Sequence, residues 1–553
     1  MNKFKIFSLA LVATTIAKAQ DLEPAKRALD AEQFEKAKSL LKSVIQAKPS
    51  SGKAAFLLGN IYLKQNISDS ASIYFRKGLA ASEGAKLNNV GLGQLDLDAN
   101  NRAVAQAKFD LVLKDLKKKD TDEYIYVARA FMNADKPDYK TAITLLSKAA
   151  AANPNDAQVQ LALGDAYYGD KNQNDSYIAY RNAYQFDSKL IRAKMQLGVL
   201  LKGAKAYTEA VKAYNEVIAI NPNYGPVYRE LAETHYLWGN NIPKTYDENI
   251  KKALSFYEKY MSLTDYSINS RMRHADFLIL AKDYKALELE ANTMKELDGV
   301  NPRILRYLGY SAYENGNVDV ALSSLQKYTA NPTSKIIPRD YLYLGQAKIK
   351  KGTSADGKVV ESSQLASGIA DLKKAVEMEP LAINELNDIG KKLYDQKAFT
   401  AAAAVFEMAV TNPNSKNYLI DNFYLGNSLY YDNTRKDVIK PDPVALQKAD
   451  VAFGNVILAS PTTQDAYIFR ARTNKLLDND EMIVKNYEEY LRVVTEKGVE
   501  EVAKNKTKFI EAYNNIGAVF ANSNKPKAIE YFNKSLALDP ANEYAQSSIK
   551  LLK

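Results

Sequence analysis

Cysteine is absent from all 553 residues, which excludes a disulfide, a thiolate metal site and a lipid-modified N-terminal cysteine. Histidine is nearly absent, with only His235 and His274. Each lies in a helical stretch beside a packing position with no third ligand at helical spacing, so both read as structural residues rather than as metal ligands or bases. Charge of one sign is not concentrated. The formal charge is +10, and the only dense basic run, "KDLKKKD" at Lys114 to Asp120, reads as a solvated helix end, so no nucleic-acid partner is expected. No stretch beyond the first twenty residues is apolar enough to suggest a membrane-spanning helix.

What is present is an ordinary balance of 46% hydrophobic and 25% charged residues, which excludes wholesale disorder. The length exceeds one conventional core, so either several domains or a stacked array is expected. The aromatic inventory is unusual, with 37 Tyr against one Trp. Tyrosine suits helices with half-dry seams, because its ring packs while its hydroxyl reaches water.

The opening "MNKFKIFSLALVATTIAKAQ" places Lys3 and Lys5 before an apolar run from Ile6 to Ala17 and a small-x-small end at Ala17, Lys18 and Ala19. This is the layout of a cleavable export signal over residues 1–19, too short to span a bilayer. The expected mature chain is therefore exported and has no integral membrane segment.

Self-similarity organises the rest. Gly164, Gly198 and Ala232 recur at 34 residues, as do Tyr180 and Tyr214, and Pro154 and Pro222 lie two such periods apart. Each unit places a small residue on a first helix, a small residue and an aromatic on a second, then a proline. The clearest units carry Gly59, Ala71 and Phe75; Gly198, Ala210, Tyr214 and Pro222; Gly390, Ala402, Phe406 and Pro413; Gly426, Ala449, Phe453 and Pro461; and Gly517, Ala528, Phe532 and Pro540. Asn221-Pro222 ends one helix, and Asn223 is placed to cap the next.

With this period and pattern the chain resembles the tetratricopeptide-repeat family over nearly its whole mature length. The resemblance implies an all-α superhelix of about fourteen hairpins with a binding groove. The expected organisation is a signal peptide over 1–19, an N-terminal array over 20–262, a C-terminal array over 263–541 and a closing helix over 542–553. Insertions at 240–251, 352–367 and 431–448 extend three units, either as extra contact surface or as tolerated loops.

Chemistry is not in evidence. Gly352, Gly357 and Lys358 have the spacing of a phosphate loop, but Val359 stands where a Ser or Thr would hold magnesium, and a helix rather than a strand precedes. "DNDE" at Asp478 to Glu481 lacks the turn glycine of a calcium loop, with Met482 in its place. No cofactor or metal is expected.

In the resembling family, ligand-facing residues come mainly from the first helix of each hairpin, at offsets around the small residue. Carried over, these are Tyr168 and Tyr236; Arg303, Arg306, Tyr310 and Tyr313; Arg339, Tyr343 and Gln346; Asn387, Lys391 and Tyr394; Asn427, Tyr430 and Tyr431; and Arg472. The family's peptide-carboxylate clamp is not intact here. The expected function is a non-catalytic periplasmic scaffold that binds a segment of a cell-envelope protein, with an accessory role at the outer membrane in protein assembly or secretion as the finer analogy. The competing readings are a solenoid enzyme of cell-wall or glycan metabolism and a cell-surface adhesion protein.

Overall fold

The structure, a computed structural model, describes residues 21–553. The expected export signal lies outside the described residues. Among the described residues there are 30 α-helices and no strand, with isolated bridges only between Ser51 and Glu83 and between Thr353 and Val360. The all-α architecture expected from the repeat pattern is the one observed.

The described residues divide into two compact units, 21–283 and 284–553. The first holds seven successive helix pairs: Glu23–Asp30 with Phe34–Ala47, Gly52–Lys64 with Ser68–Leu79, Asn88–Asp98 with Arg102–Leu113, Asp122–Asn133 with Tyr139–Ala152, Ala157–Gly169 with Gln173–Phe186, Ile191–Gly203 with Tyr207–Ile220, and Gly225–Asn241 with Tyr246–Leu263. Helix Ile268–Leu280 completes it.

The second unit opens with Tyr284–Leu297 and continues with six pairs: Arg303–Glu314 with Val318–Ala330, Pro338–Lys351 with Ser362–Met378, Leu386–Asp395 with Phe399–Ala409, Tyr418–Asn433 with Pro443–Ala459, Gln464–Leu476 with Asp480–Glu496, and Lys506–Phe520 with Lys525–Leu538. A short helix, Val499–Lys504, precedes the last pair. Helix Glu543–Leu552 closes the unit by packing Ala545 and Ile549 on Ala528 and Phe532.

The small residues sit where helices of a pair cross. A β-carbon on Gly59 would lie 2.3 Å from the Phe75 ring, and one on Gly198 2.5 Å from the Tyr214 ring. Gly390, Gly426 and Gly517 face Phe406, Phe453 and Phe532 in the same way. The second-helix alanines Ala71, Ala210, Ala402, Ala449 and Ala528 are fully buried. Close backbone approach with an aromatic filling the adjacent groove therefore sets each crossing.

One local expectation is overturned. Asn223 does not cap helix Gly225–Asn241, whose N-cap is Tyr224 with no side-chain cap. Instead the Asn221 side chain accepts from the Asn223 N–H at 3.1 Å, tightening the turn around Pro222. Two periods earlier the cap likewise falls one residue later than the position after the proline, at Asp156, which accepts from the N–H groups of Gln158 and Val159.

Neighbouring first helices touch one another through most of each unit, whereas second helices seldom do. Each unit thus curves with its first helices on the inside. In unit 1 the curvature brings the chain back on itself. The turn after the first helix meets the seventh pair: Arg229 donates to both oxygens of Glu32 at 2.6 Å, Tyr260 donates to Glu32 at 2.8 Å, and Gln33 donates to the Leu263 carbonyl at 3.0 Å. Five pairs lie between the two sides of this contact.

The insertions are ordered differently. Residues 240–251 are absorbed into long helices and a single 3-10 turn at Pro243–Thr245. The second and third form loops that meet in unit 2, where Arg435 donates to the Lys358 carbonyl at 2.8 Å. Gly357 has φ +74°, and a β-carbon there would clash with the Gln396 carbonyl at 2.7 Å, so this loop is packed against the next pair rather than open for a phosphate.

Candidate functional site

The inner helices of unit 2 gather the carried-over residues into two groups. In the first, Arg306 donates to both oxygens of Asp340 at 2.7 and 2.9 Å and to the Lys335 carbonyl at 2.6 Å. Tyr310 donates to Asp340 at 2.7 Å and stacks on Tyr343 with centroids 4.2 Å apart. Tyr343 donates to Glu314 at 2.9 Å. Arg306, Tyr310 and Tyr343 are buried, so their polar groups are engaged inside the protein.

Tyr313 sits edge-on to Tyr343 and with Gln346 borders a cavity of about 30 Å³, room for a water molecule. Arg303 lies over the Tyr307 ring at 5.6 Å. Arg339 is half-buried beside this network.

The second group is more open. Tyr394, Tyr430 and Tyr431 are half-buried and join Tyr424 and Phe469 in a continuous aromatic run. Centroids lie 5.0 Å apart for Tyr394 and Tyr424, 6.3 Å for Tyr394 and Tyr431, and 5.8 Å for Tyr431 and Phe469. Lys391 lies over Tyr424 and Arg472 over Phe469, at 5.5 and 5.1 Å. Arg472 is also tied to Glu511 by bonds of 2.8 and 2.7 Å. Burial, then the neighbouring Tyr431 and Tyr424, pushes the Tyr394 hydroxyl up to about 12, so it stays a neutral donor.

Asn387 and Asn427 are buried beneath this run. Asn387 donates to Asp421 at 2.5 Å and Asn427 to the Phe423 carbonyl at 2.9 Å.

Of the two carried-over residues in unit 1, Tyr168 is exposed and Tyr236 packs edge-on against Phe277 under Arg273. Several charged residues of this unit at comparable places on first helices were not anticipated. Arg129 follows the buried Ala128, and Asp165 follows Gly164, whose crossing is set by Tyr180. Asp165 accepts from Arg192 at 2.8 and 2.9 Å, and Lys202 donates to Glu230 at 2.6 Å. The signal was available, since the offset that selected Lys391 also selects Arg129.

Charged groups on the first helices of unit 1 influence one another. Burial raises the Asp30 carboxyl above its ordinary value, against Arg192, the Tyr224 hydroxyl and Arg129, although Asp30 keeps an exposed surface. Burial also raises Glu32, but the charge and hydrogen bonds of Arg229, with the Tyr260 hydroxyl, outweigh it and hold Glu32 below its ordinary value.

Two stretches of unit 1 match the tetratricopeptide repeat: residues 22–86 and residues 191–224. No curated protein matches the chain. Among solved structures, the C-terminal part of a tetratricopeptide-repeat protein from Cytophaga hutchinsonii is 26% identical over 50% of this chain and 98% of its own, with a TM-score of 0.33. Pseudomonas aeruginosa pilF is 22% identical over 39% of this chain and 93% of its own, with a TM-score of 0.31. A tetratricopeptide-repeat protein from Parabacteroides merdae is 18% identical over 50% of this chain and 98% of its own, also with a TM-score of 0.31. The two matched stretches are similar to tetratricopeptide repeats, and helices pairing in sequence with small residues at their crossings continue the same arrangement through the described residues.

Proposed function

We propose that this protein is a non-catalytic scaffold that holds a segment of a partner protein against the inner helices of unit 2. The observation carrying this reading is the half-buried aromatic run Tyr394, Tyr424, Tyr431, Tyr430 and Phe469, flanked by Lys391 and Arg472. Aromatic rings that keep accessible faces beside cations provide contact area at low entropic cost, and such residues dominate binding hot spots. The buried group around Arg306 and Asp340 serves as the rigid support next to it.

The working location follows from the first nineteen residues: export by a cleavable signal into the periplasm, with the partner an envelope protein and the finer role that of an accessory subunit at the outer membrane. Tandem mass spectrometry of the mature N-terminus and cell fractionation test the location; an intact Met1 in a cytoplasmic fraction refutes it.

Crosslinking in intact cells followed by mass spectrometry tests the binding surface. The expected result is a small partner set recovered by the wild type and lost from a Tyr394→Ala, Tyr430→Ala, Tyr431→Ala variant that keeps its helical circular dichroism. Equal recovery of every partner by that variant refutes the reading.

A further inference from the structure

The seventh helix pair of unit 1 holds a buried titratable group, independent of the aromatic run in unit 2. His235 sits on helix Gly225–Asn241 and is 5% exposed. We propose that His235 is an acid trigger: protonation of its ring loosens the two helices of the seventh pair and releases their hold on Glu32.

The surroundings of the ring fix where its proton sits. Its plane runs nearly parallel to those of Trp238 and Phe256, with centroids 5.8 and 5.4 Å away. Trp238 in turn stacks on Tyr207 of the sixth pair at 5.8 Å, and Phe256 tilts against Tyr228 at 6.5 Å. His235 Nδ1 lies 2.7 Å from the Asn249 side-chain oxygen. The Asn249 amide nitrogen is committed to the Thr245 carbonyl and hydroxyl, both at 3.0 Å. Its oxygen therefore faces the ring as an acceptor, so Nδ1 carries the hydrogen and donates. The neutral ring then has a bare Nε2, which has no hydrogen-bond partner among the described residues.

A second proton must arrive at Nε2 and brings a full charge into this aromatic packing. The charged groups that act on the ring, Lys252 and Glu248, come from the second helix and pair with each other at 2.7 Å, so the repulsion of one offsets the attraction of the other. From the sixth pair, Tyr207 reaches the stack through Trp238, and Lys202 is held by Glu230 at 2.6 Å. Burial holds the imidazole below its ordinary value, against the Asn249 hydrogen bond. A buried cation without a counter-charge of its own regains water only if the helices part.

The same two helices carry the contact with Glu32. Phe256 touches both His235 and Tyr228; Arg229 follows Tyr228, and Tyr260 lies one turn beyond Phe256. Arg229 and Tyr260 reach Glu32 from opposite members of the pair, at 2.6 and 2.8 Å. Parting the helices therefore draws two donors away from one acceptor.

Because the folded ring takes up its proton at lower pH than the unfolded one, the pair has its full stability above pH 6.5 and loses it as pH falls through 6.5 toward the folded value. Glu32, held below its ordinary 4.5, is still charged at the start of that fall. The loosening thus precedes titration of the carboxylate it acts on.

Trp238 is the only tryptophan in the chain, so its fluorescence reports on the ring beside it. In the full chain, the acrylamide quenching constant of Trp238 is expected to rise at least about twofold between about pH 7 and 5. His235→Gln, whose amide can still donate to Asn249, is expected to abolish the rise. Hydrogen exchange, corrected for its intrinsic pH dependence, is expected to quicken over the same interval within 225–263 and around Glu32, in the wild type alone. A flat wild-type quenching profile overturns the proposal, as does an equal rise in His235→Gln. Faster exchange within 225–263 with none around Glu32 overturns the release. Should His235→Gln fail to fold, His235→Phe, which keeps an aromatic ring in the stack, takes its place.

Discussion

Arg229 grips both carboxylate oxygens of Glu32, a residue 197 positions earlier, at 2.6 Å each. Glu32→Gln removes the charge from this pair and leaves Arg229 with Glu230 at 3.3 Å. A loss of about 2 kcal/mol is expected, below the full cost of breaking a wholly buried pair because both side chains keep some exposure. Urea denaturation followed by circular dichroism measures it; an unchanged first transition would show that the ring closure is not held by this pair.

The same residue sets an acid sensitivity. Glu32 titrates below its ordinary value of 4.5, so its contribution is present above that value and is lost as pH falls through it toward the folded value. Glu511, where burial is outweighed by Arg472, acts in the same sense. Asp30 is raised and acts oppositely, costing stability at neutral pH and relieving that cost as it protonates. The melting temperature of the wild type should fall between about pH 5 and 3, and Glu32→Gln should flatten that slope. A slope equal to that of the wild type would contradict the assignment.

Gly198→Leu places branched carbon where a β-carbon alone would be 2.5 Å from Tyr214. The two helices of the pair must separate, at a cost of about 3 kcal/mol or more. Thermal melting should show a clear drop, with Gly203→Ala, where a β-carbon meets nothing within 4 Å, as the tolerated comparison.

The turn inside many pairs holds a left-handed residue. Glu32, Asn66 and Asn100 follow one another at 34-residue steps with φ near +60°, as do Lys171 and Lys205. Lys205→Gly relieves that backbone strain, offset in part by the greater freedom of glycine in the unfolded chain, for a net gain of about 0.5 to 1 kcal/mol. A raised melting temperature is expected; a lowered one would mean that the lysine side chain stabilises the turn.

Asp340 and Asp421 sit five residues before Gly345 and Gly426 but differ in what holds them. Asp340 accepts from Arg306, Tyr310 and the Ile337 N–H. Asp421 accepts only from Asn387 on one oxygen, its other oxygen has no partner, and burial raises its carboxyl above the ordinary value. Asp340→Asn should therefore cost about 3 kcal/mol, whereas Asp421→Asn should be neutral or stabilising. Matched denaturation curves for the two variants provide the check.

Much of the inner face was legible because a fixed offset from the small residue picks out first-helix positions. That rule found Tyr394, Tyr430 and Arg472, which the structure gathers into one aromatic and cationic run. It also selected Arg306 and Tyr310, which the fold engages with Asp340, since an offset reports which face of a helix a side chain occupies and not what the next pair places opposite. The left-handed turn residues went unread because Asn, Lys, Glu and Asp hold them where glycine would have announced them.

The spacing of Gly198, Tyr214 and their counterparts was sufficient to determine paired helices, their crossing points and the all-α class, because each depends on contacts between residues close in the chain. The meeting of Glu32 with Arg229 was decided only by the tertiary structure. That contact is the sum of small rotations from the first pair to the seventh, and no local pattern of residues encodes where such a sum will bring the chain.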